Sequence, residues 1–249
     1  MRVLVIGTSH SGAVKQARRE IAFRWPDIDL TFFGLPGGHF DASKMHSDGM
    51  FRATEKAERM SKLINGTTFV DITKFDHVFV VSHSFSVRRF LGLFTHYDVV
   101  EWPTRRILPL ISGSYLADLL DAFEAEFAAD IRRQFPELEN ITVAAAPFPA
   151  ASVSTIGDNF ETLFHNIAQH PEAQTAFDLF GEMQGNAARR AKVGLIKQPP
   201  RTVHAPFLTK EEFAHGAKDF HDPDRPASDK RHMNAKYGLA LFEAFVESL

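Results

Sequence analysis

The chain of 249 residues contains no cysteine. This absence excludes a cysteine nucleophile, a thiolate metal site and a disulfide framework together. A chain that needs no disulfide suits a reducing compartment, so we expect a cytoplasmic protein. An excess of charge is also missing, because the formal net charge is only −3 at pH 7. A charge this small does not favour nucleic acid or an anionic membrane as a partner.

Long apolar runs are missing as well. The apolar run that follows Arg2 is too short for the core of a signal peptide, and no other run approaches the length of a membrane span. Tryptophan occurs twice and tyrosine three times, whereas phenylalanine occurs 24 times. We expect most of these phenylalanines to fill the core and a few to line an apolar pocket.

Short apolar runs alternate with helical patterns along the chain, and this alternation is typical of a parallel α/β sheet. We predict strands at 3–6, 28–33, 76–82 and 140–146, and helices at 13–25, 114–135 and 235–248. The predicted fold class is α/β, with three α/β/α layers around a mainly parallel, flavodoxin-like central sheet.

Two tracts, 85–112 and 151–228, show no run of strands. The first is rich in arginine and aromatic residues, and the second holds short helical stretches followed by a proline-rich segment. We interpret both as insertions over one face of a single domain that spans 1–249, because neither has strands for a core of its own. A separate small domain at 151–228 is the alternative.

Small and polar residues follow the predicted strands. They are Ser9 after the first, Gly34 and Gly37 after the second, and Ser82, His83 and Ser84 at the end of the third. The carboxyl ends of parallel strands share one edge of a sheet, which is where ligands bind. Ser9 also stands where a helix begins, so its hydroxyl is either a nucleophile or a cap of that helix.

Asp229 and His232 stand three residues apart, just before the last predicted helix. A carboxylate at this spacing can accept a hydrogen bond from Nδ1 of the imidazole and leave Nε2 facing a hydroxyl. Ser9, His232 and Asp229 would then supply a nucleophile, its base and the group that orients the base. The alternative is a surface pair in which Asp229 caps the helix.

Taken together, these residues resemble the SGNH (GDSL-type) hydrolase superfamily. Gly7-Thr8-Ser9 matches the Gly-Asp-Ser block of that family, and Asp229-x-x-His232 matches its last block. The resemblance covers the scaffold at about 1–84, 114–150 and 229–249. It implies a serine ester hydrolase with a Ser9–His232–Asp229 triad, acting on a carbohydrate O-acetyl group or another short acyl ester.

The resemblance also implies an oxyanion hole. Its donors would be the backbone N–H of Ser9 and that of Gly34 or Gly37. The family's third block, Gly-x-Asn-Asp, is replaced here by Ser-His-Ser-Phe at 82–85, so Ser84 or His83 is expected in place of the asparagine donor. The apolar walls that we predict for the substrate pocket are Tyr97, Trp102 and Phe148.

Two other functions remain open on the same scaffold: an acyltransferase that uses the same triad, and a non-catalytic protein that has kept the ligand pocket. We predict a small-molecule or carbohydrate ester as the partner and no cofactor, and the sequence sets no oligomeric state. Residues 7–12 lack the Lys-Ser/Thr of a phosphate-binding loop and the middle glycine of a dinucleotide fingerprint.

Two other groups of charged residues could also bind a ligand. His39, Asp41, His46 and Asp48 stand in one loop, but their spacing matches no metal-ligand motif, so we predict a solvated loop and no metal. The arginine pairs at 88–89 and 105–106 either receive an anionic substrate or form a solvated face, and the solvated face is preferred.

Overall fold

A five-stranded parallel sheet forms the centre of the computed structural model, which describes residues 1–103, 108–153, 160–217 and 232–249. The strands of these residues are β1 (Arg2–Gly7), β2 (Asp29–Gly34), β3 (Lys44–Met45), β4 (Met50–Arg52), β5 (Phe69–Asp71), β6 (His77–His83), β7 (Asp98–Val99), β8 (Leu110–Ile111), β9 (Ile141–Ala145), β10 (Gly194–Ile196), β11 (Val203–Ala205) and β12 (Leu208–Thr209).

The helices carry labels in the same way. They are α1 (Ser11–Gln16), α2 (Arg18–Arg24), α3 (Gly37–Ala42), α4 (Glu58–Asn65), α5 (Val87–His96), α6 (Gly113–Gln134), α7 (Phe160–Ala168), α8 (Ala173–Ala191) and α9 (Ala235–Glu247). Within the described ranges, none of them has the length and apolarity that a membrane-spanning helix needs.

The order of strands in the central sheet is β10-β9-β6-β1-β2. The chain builds β1 and β2 side by side and then crosses to β6 on the other side of β1. This crossing makes the gap between β1 and β6 the switch point of the sheet, where an open α/β fold has its ligand crevice.

Each face of the sheet has its own apolar core, because successive side chains of a strand point to opposite faces. Val3 and Val5 of β1 pack with α1, α2 and α9. Leu4 and Ile6 belong to the second core, with α5, α6 and α8. Helices therefore cover both faces, and the predicted three-layer α/β/α class with a mainly parallel sheet is confirmed.

The four predicted strands correspond to β1, β2, β6 and β9, and the long predicted helix at 114–135 is α6. The helix predicted at 13–25 is divided in two, since α1 ends at Gln16 and α2 begins at Arg18.

The prediction that the tract 151–228 is an insertion needs a correction, because part of this tract belongs to the central layers. It supplies β10, the edge strand that pairs with β9, and α8, which packs against α6. A strand of three residues leaves almost no sequence pattern, and β10 is fixed by the helix that precedes it. The antiparallel sheet of β3, β4 and β5 also had no sequence signal.

Candidate active site

Ser9 and His232 meet at the switch point of the sheet. His232 Nε2 lies 3.0 Å from Ser9 Oγ, although 223 positions separate the two residues in the chain. This is hydrogen-bond distance, as required between a serine nucleophile and its base. The ring of His10 lies beside that of His232, with 5.2 Å between the ring centroids.

Ser9 lies in the turn between β1 and α1, and its hydroxyl does not cap the helix. The N-cap position of α1 is His10, and its side chain makes no capping hydrogen bond. The hydroxyl that fastens this turn is that of Ser11, which donates to the carbonyl oxygen of Thr8 at 2.8 Å. The Ser9 hydroxyl therefore faces the imidazole of His232, and the interpretation of Ser9 as a cap is wrong.

Gly7 brings β1 close to β6 directly below this turn. A Cβ atom at Gly7 would lie 2.1 Å from the carbonyl oxygen of Val81, so no other residue fits there without moving a strand. This contact holds the Ser9 turn beside the end of β6.

The position of His232 depends on Asn234, which begins α9. Its Oδ1 accepts from the backbone N–H groups of Lys236 and Tyr237 at 2.9 and 3.2 Å. Its Nδ2 donates to the carbonyl oxygens of Glu212 and His215, both at 2.8 Å. Asn234 therefore joins the start of the last helix to the turn at 212–215, two residues beyond His232. The cap of α9 is thus Asn234 and not Asp229.

The helices that follow Ser9 and His232 pack directly against each other. A Cβ atom at Gly238 of α9 would lie 2.1 Å from the carbonyl oxygen of Ala13 in α1. This close approach fixes the separation of the two helices and with it the separation of the two side chains. Asp229, the predicted third member of the triad, lies outside the described residues.

A cavity of about 640 Å³ opens beside Ser9, at the carboxyl ends of β1, β6 and β9. The first turn of α5 and one side of α6 form two of its walls. The remaining wall comes from α7 and α8, so the tract 151–228 covers this side of the cavity. A cavity of this size suits a small organic ligand.

The backbone at the end of β6 is strained. Ser82, Phe85 and Ser86 have φ angles of 77°, 47° and 55°, in the left-handed region that favours glycine. The register of β6 against β9 also shifts between Val81 and His83. Strain of this kind is most frequent at functional sites, and here it aims His83 and Ser84 at the cavity.

The imidazole of His83 is neutral near pH 7. Burial lowers its pKa from 6.5 to about 4, although the charge of Asp130 acts in the opposite direction. Its Nδ1 accepts the backbone N–H of Phe85 at 3.0 Å. A neutral imidazole that accepts at Nδ1 carries its proton on Nε2, so His83 is a hydrogen-bond donor. Ser84 lines the same cavity and is exposed.

The two candidate glycines have different surroundings. The N–H of Gly34 donates to Asn65 Oδ1 at 2.9 Å, and the amide of Asn65 returns a hydrogen bond to the Gly34 carbonyl oxygen at the same distance. Gly34 is therefore not available as an oxyanion donor. Gly37 lines the cavity and begins α3, where an N–H has no partner within the helix.

Of the three predicted aromatic walls, only Phe148 lines the cavity. Tyr97 directly follows α5 and is 39% exposed. Trp102 stacks on Phe94 with 4.9 Å between the ring centroids, and it contacts the ring of His170. Neither Tyr97 nor Trp102 is among the residues that line the cavity.

The charged groups named from sequence separate in the structure. Asp48 forms an ion pair with Arg52, and no three histidine or acidic side chains of the described residues gather as metal ligands would. Arg88 and Arg89 line the cavity, whereas 105–106 lie outside the described residues.

Three lining residues gave little sequence signal: Glu126 and Asp130 of α6, and Gln184 of α8. Glu126 and Asp130 stand beside the apolar stripe of their helix. Gln184 stands within the buried stripe that includes Phe180 and Ala187, and a polar residue in such a stripe is the one sign that could have marked it.

Comparisons with known proteins add one distant similarity. No protein-family model matches the chain, and no curated protein is significantly similar to it. Among solved structures, the chain is similar to a DUF4886 family protein from Bacteroides uniformis, with 14% identity and a TM-score of 0.43. The alignment covers 99% of this chain and 83% of that one. A similarity at this level says nothing about activity.

Proposed function

We propose that the chain is a serine ester hydrolase of the SGNH type. The observation that carries the proposal is the 3.0 Å contact between Ser9 Oγ and His232 Nε2, at the switch point of the sheet and beside a cavity. A nucleophile and a base at this distance are the minimum that acyl transfer through an acyl-enzyme needs.

In the first half of the reaction, Ser9 Oγ attacks the acyl carbonyl carbon while Nε2 of His232 takes the hydroxyl proton. The tetrahedral intermediate collapses, and the leaving alcohol takes that proton from His232. Water then attacks the acyl-enzyme in the same way and regenerates Ser9. We assign the orientation of His232 to Asp229, on the sequence pattern alone.

The negative charge of the intermediate needs donors at its oxygen. Ser9 lies after the last paired residue of β1 and before the first residue of α1. Its N–H therefore takes part in neither the hydrogen bonds of the sheet nor those of the helix. Gly37 offers a second backbone N–H. We favour His83 as the third donor, because its proton is on Nε2. Ser82, the residue before it, stands at the position of the family's glycine and has a positive φ angle of 77°, which glycine adopts readily.

The proposal is tested with a fluorophosphonate probe and short aryl esters such as phenyl acetate. The native chain should be labelled at Ser9 and should hydrolyse the esters. Ser9→Ala and His232→Ala should each lower kcat/KM by about 10³-fold or more. Ser47→Ala is the control, because this exposed serine between β3 and β4 does not line the cavity.

A chain that is neither labelled nor active above the Ser9→Ala background would refute the hydrolase. A ligand-binding protein on the same scaffold would then be the better interpretation. Faster release of the acyl group to an added alcohol than to water would instead favour an acyltransferase.

A further inference from the structure

Three arginines line the cavity beside Ser9, and two of them already have acidic partners. Arg89 pairs with Glu126 and also donates to Ser86 Oγ at 2.7 Å. Arg133 pairs with Asp130 at 3.1 Å. In the part of the chain that the structure describes, Arg88 has no ion pair and no side-chain hydrogen bond. Its charge is therefore available to a ligand in the cavity.

The guanidinium of Arg88 lies over the ring of Phe160, with 5.9 Å between its Cζ atom and the ring centroid. The face of an aromatic ring attracts a cation and favours a guanidinium laid flat on it. A guanidinium stacked on a ring uses none of its N–H groups for that contact, and its N–H edge matches the two oxygens of a carboxylate or phosphate.

Arg88 stands in the first turn of α5, whose start adds positive potential of its own. This helix has ten residues, no side-chain cap and no acidic residue in its first turn. The N–H of Val87 donates to the carbonyl oxygen of Ser84 at 3.0 Å, whereas the next two N–H groups of this turn have no partner within the helix and carry the positive end of its dipole. Ser86, Val87 and Arg88 all line the cavity, so this end of α5 opens into it.

Gln184 supplies an independent sign of a polar ligand. The residue is only 4% exposed and lines the same cavity, and its amide makes no hydrogen bond to any of the described residues. An amide that is shielded from most of the solvent usually has a partner, in the protein or in what the protein binds. Gln184 therefore offers a donor and an acceptor to a molecule in the cavity.

The acidic side chains of the lining do not cancel Arg88. Glu126 and Asp130 are held by their own arginines. Asp41 lies beside Arg133, whose guanidinium donates to the Asp41 backbone carbonyl oxygen at 3.3 Å. Glu161 is engaged in an interaction of its own.

We propose that this cavity selects esters that carry an anionic group, a carboxylate or a phosphate, which Arg88 and the start of α5 receive while the ester lies at Ser9. This inference rests on the proposed function for the place of the ester bond. The anion site itself rests on the free guanidinium, the open helix start and the buried amide of Gln184.

The first experiment compares three acetyl esters: 4-acetoxybenzoate, 4-acetoxyphenyl phosphate and the neutral 4-acetoxybenzamide. Each kcat/KM is divided by the rate constant for hydroxide hydrolysis of the same ester, which removes differences between leaving groups. The native chain should prefer at least one anionic ester by about tenfold or more, the gain of one charge-assisted contact. The preferred anion distinguishes carboxylate from phosphate.

Arg88→Gln should abolish this preference, and Arg88→Lys should keep part of it, because lysine retains the charge without the planar fork. Arg18→Gln is the matched control: it removes one exposed arginine from α2, on the other face of the sheet. Equal preference in the native chain and in Arg88→Gln would overturn the inference and leave the hydrolase standing.

A second experiment measures binding without hydrolysis. Calorimetry compares 4-acetamidobenzoate with 4-acetamidobenzamide, whose amide bonds replace the ester. Tighter binding of the acid, lost in Arg88→Gln, would support the anion site even if Ser9 proves inactive. Binding of neither compound at millimolar concentration, or equal binding of both, would contradict it.

Discussion

At the scale of single residues, the identity of the third oxyanion donor depends on His83 and Ser84. His83 is partly buried and keeps its proton on Nε2, whereas Ser84 is exposed, where water can take the place of a lost hydrogen bond. We expect His83→Ala to lower kcat for aryl esters by about 10²-fold, the usual effect of one missing donor. Ser84→Ala should change kcat by less than about threefold on the same scale. The reverse ranking would assign the donor to Ser84.

His83 should also make stability depend on pH. Its pKa is about 4 in the folded chain and near 6.5 when unfolded, so between these values the unfolded chain binds the extra proton. The free energy of unfolding must therefore fall as the pH drops from 6.5 towards 4. Urea titrations at pH 7 and pH 4.5 measure this loss of unfolding free energy. The loss should be on the order of 2 kcal/mol smaller in His83→Gln than in the native chain. Parallel decreases in both proteins would count against a buried neutral imidazole.

At the scale of elements, the contact between α1 and α9 determines whether Ser9 and His232 meet. Gly238→Ala places a methyl group against the Ala13 carbonyl and should push the helices apart. We expect a loss of about 1–3 kcal/mol in unfolding free energy, together with a fall in kcat of about 10²-fold from the displaced base. Denaturant titration and ester hydrolysis measure the two effects.

Gly92→Ala is the control for that substitution. Gly92 lies within α5, and a Cβ atom there would meet nothing within 4 Å. Alanine should therefore stabilise the helix by about 0.5–1 kcal/mol and leave kcat unchanged. A Gly238→Ala protein as stable and active as the native chain would show that the helices adjust without moving the site.

At the scale of the whole molecule, the central strands were predictable because burial on both faces makes them continuous apolar runs. Val3 to Ile6 and Val78 to Val81 illustrate this. β10 was not predictable, because three residues carry no period and its place depends on α8. The division between α1 and α2 at Ala17 also left no mark in the apolar spacing.

The site was predictable in part for a related reason. Ser9 follows a clear strand and His232 precedes a clear helix, so topology brings them to one edge. Gly34 was a wrong choice because its N–H is taken by Asn65, 31 residues later in the chain, which only packing reveals. Trp102 does not line the cavity, because its ring packs on Phe94 at the edge of the phenylalanine-rich core.

The distance of 223 positions between Ser9 and His232 has a consequence for synthesis on the ribosome. The sheet and the cavity walls up to α8 emerge before His232 does, so a growing chain can bury the core beneath α5, α6 and α8 while it still lacks a base and the core beneath α9 is still open. Loops of this length close late and contribute to slow folding. Hydrolysis of any ester should therefore begin only when α9 has left the exit tunnel and packed against α1.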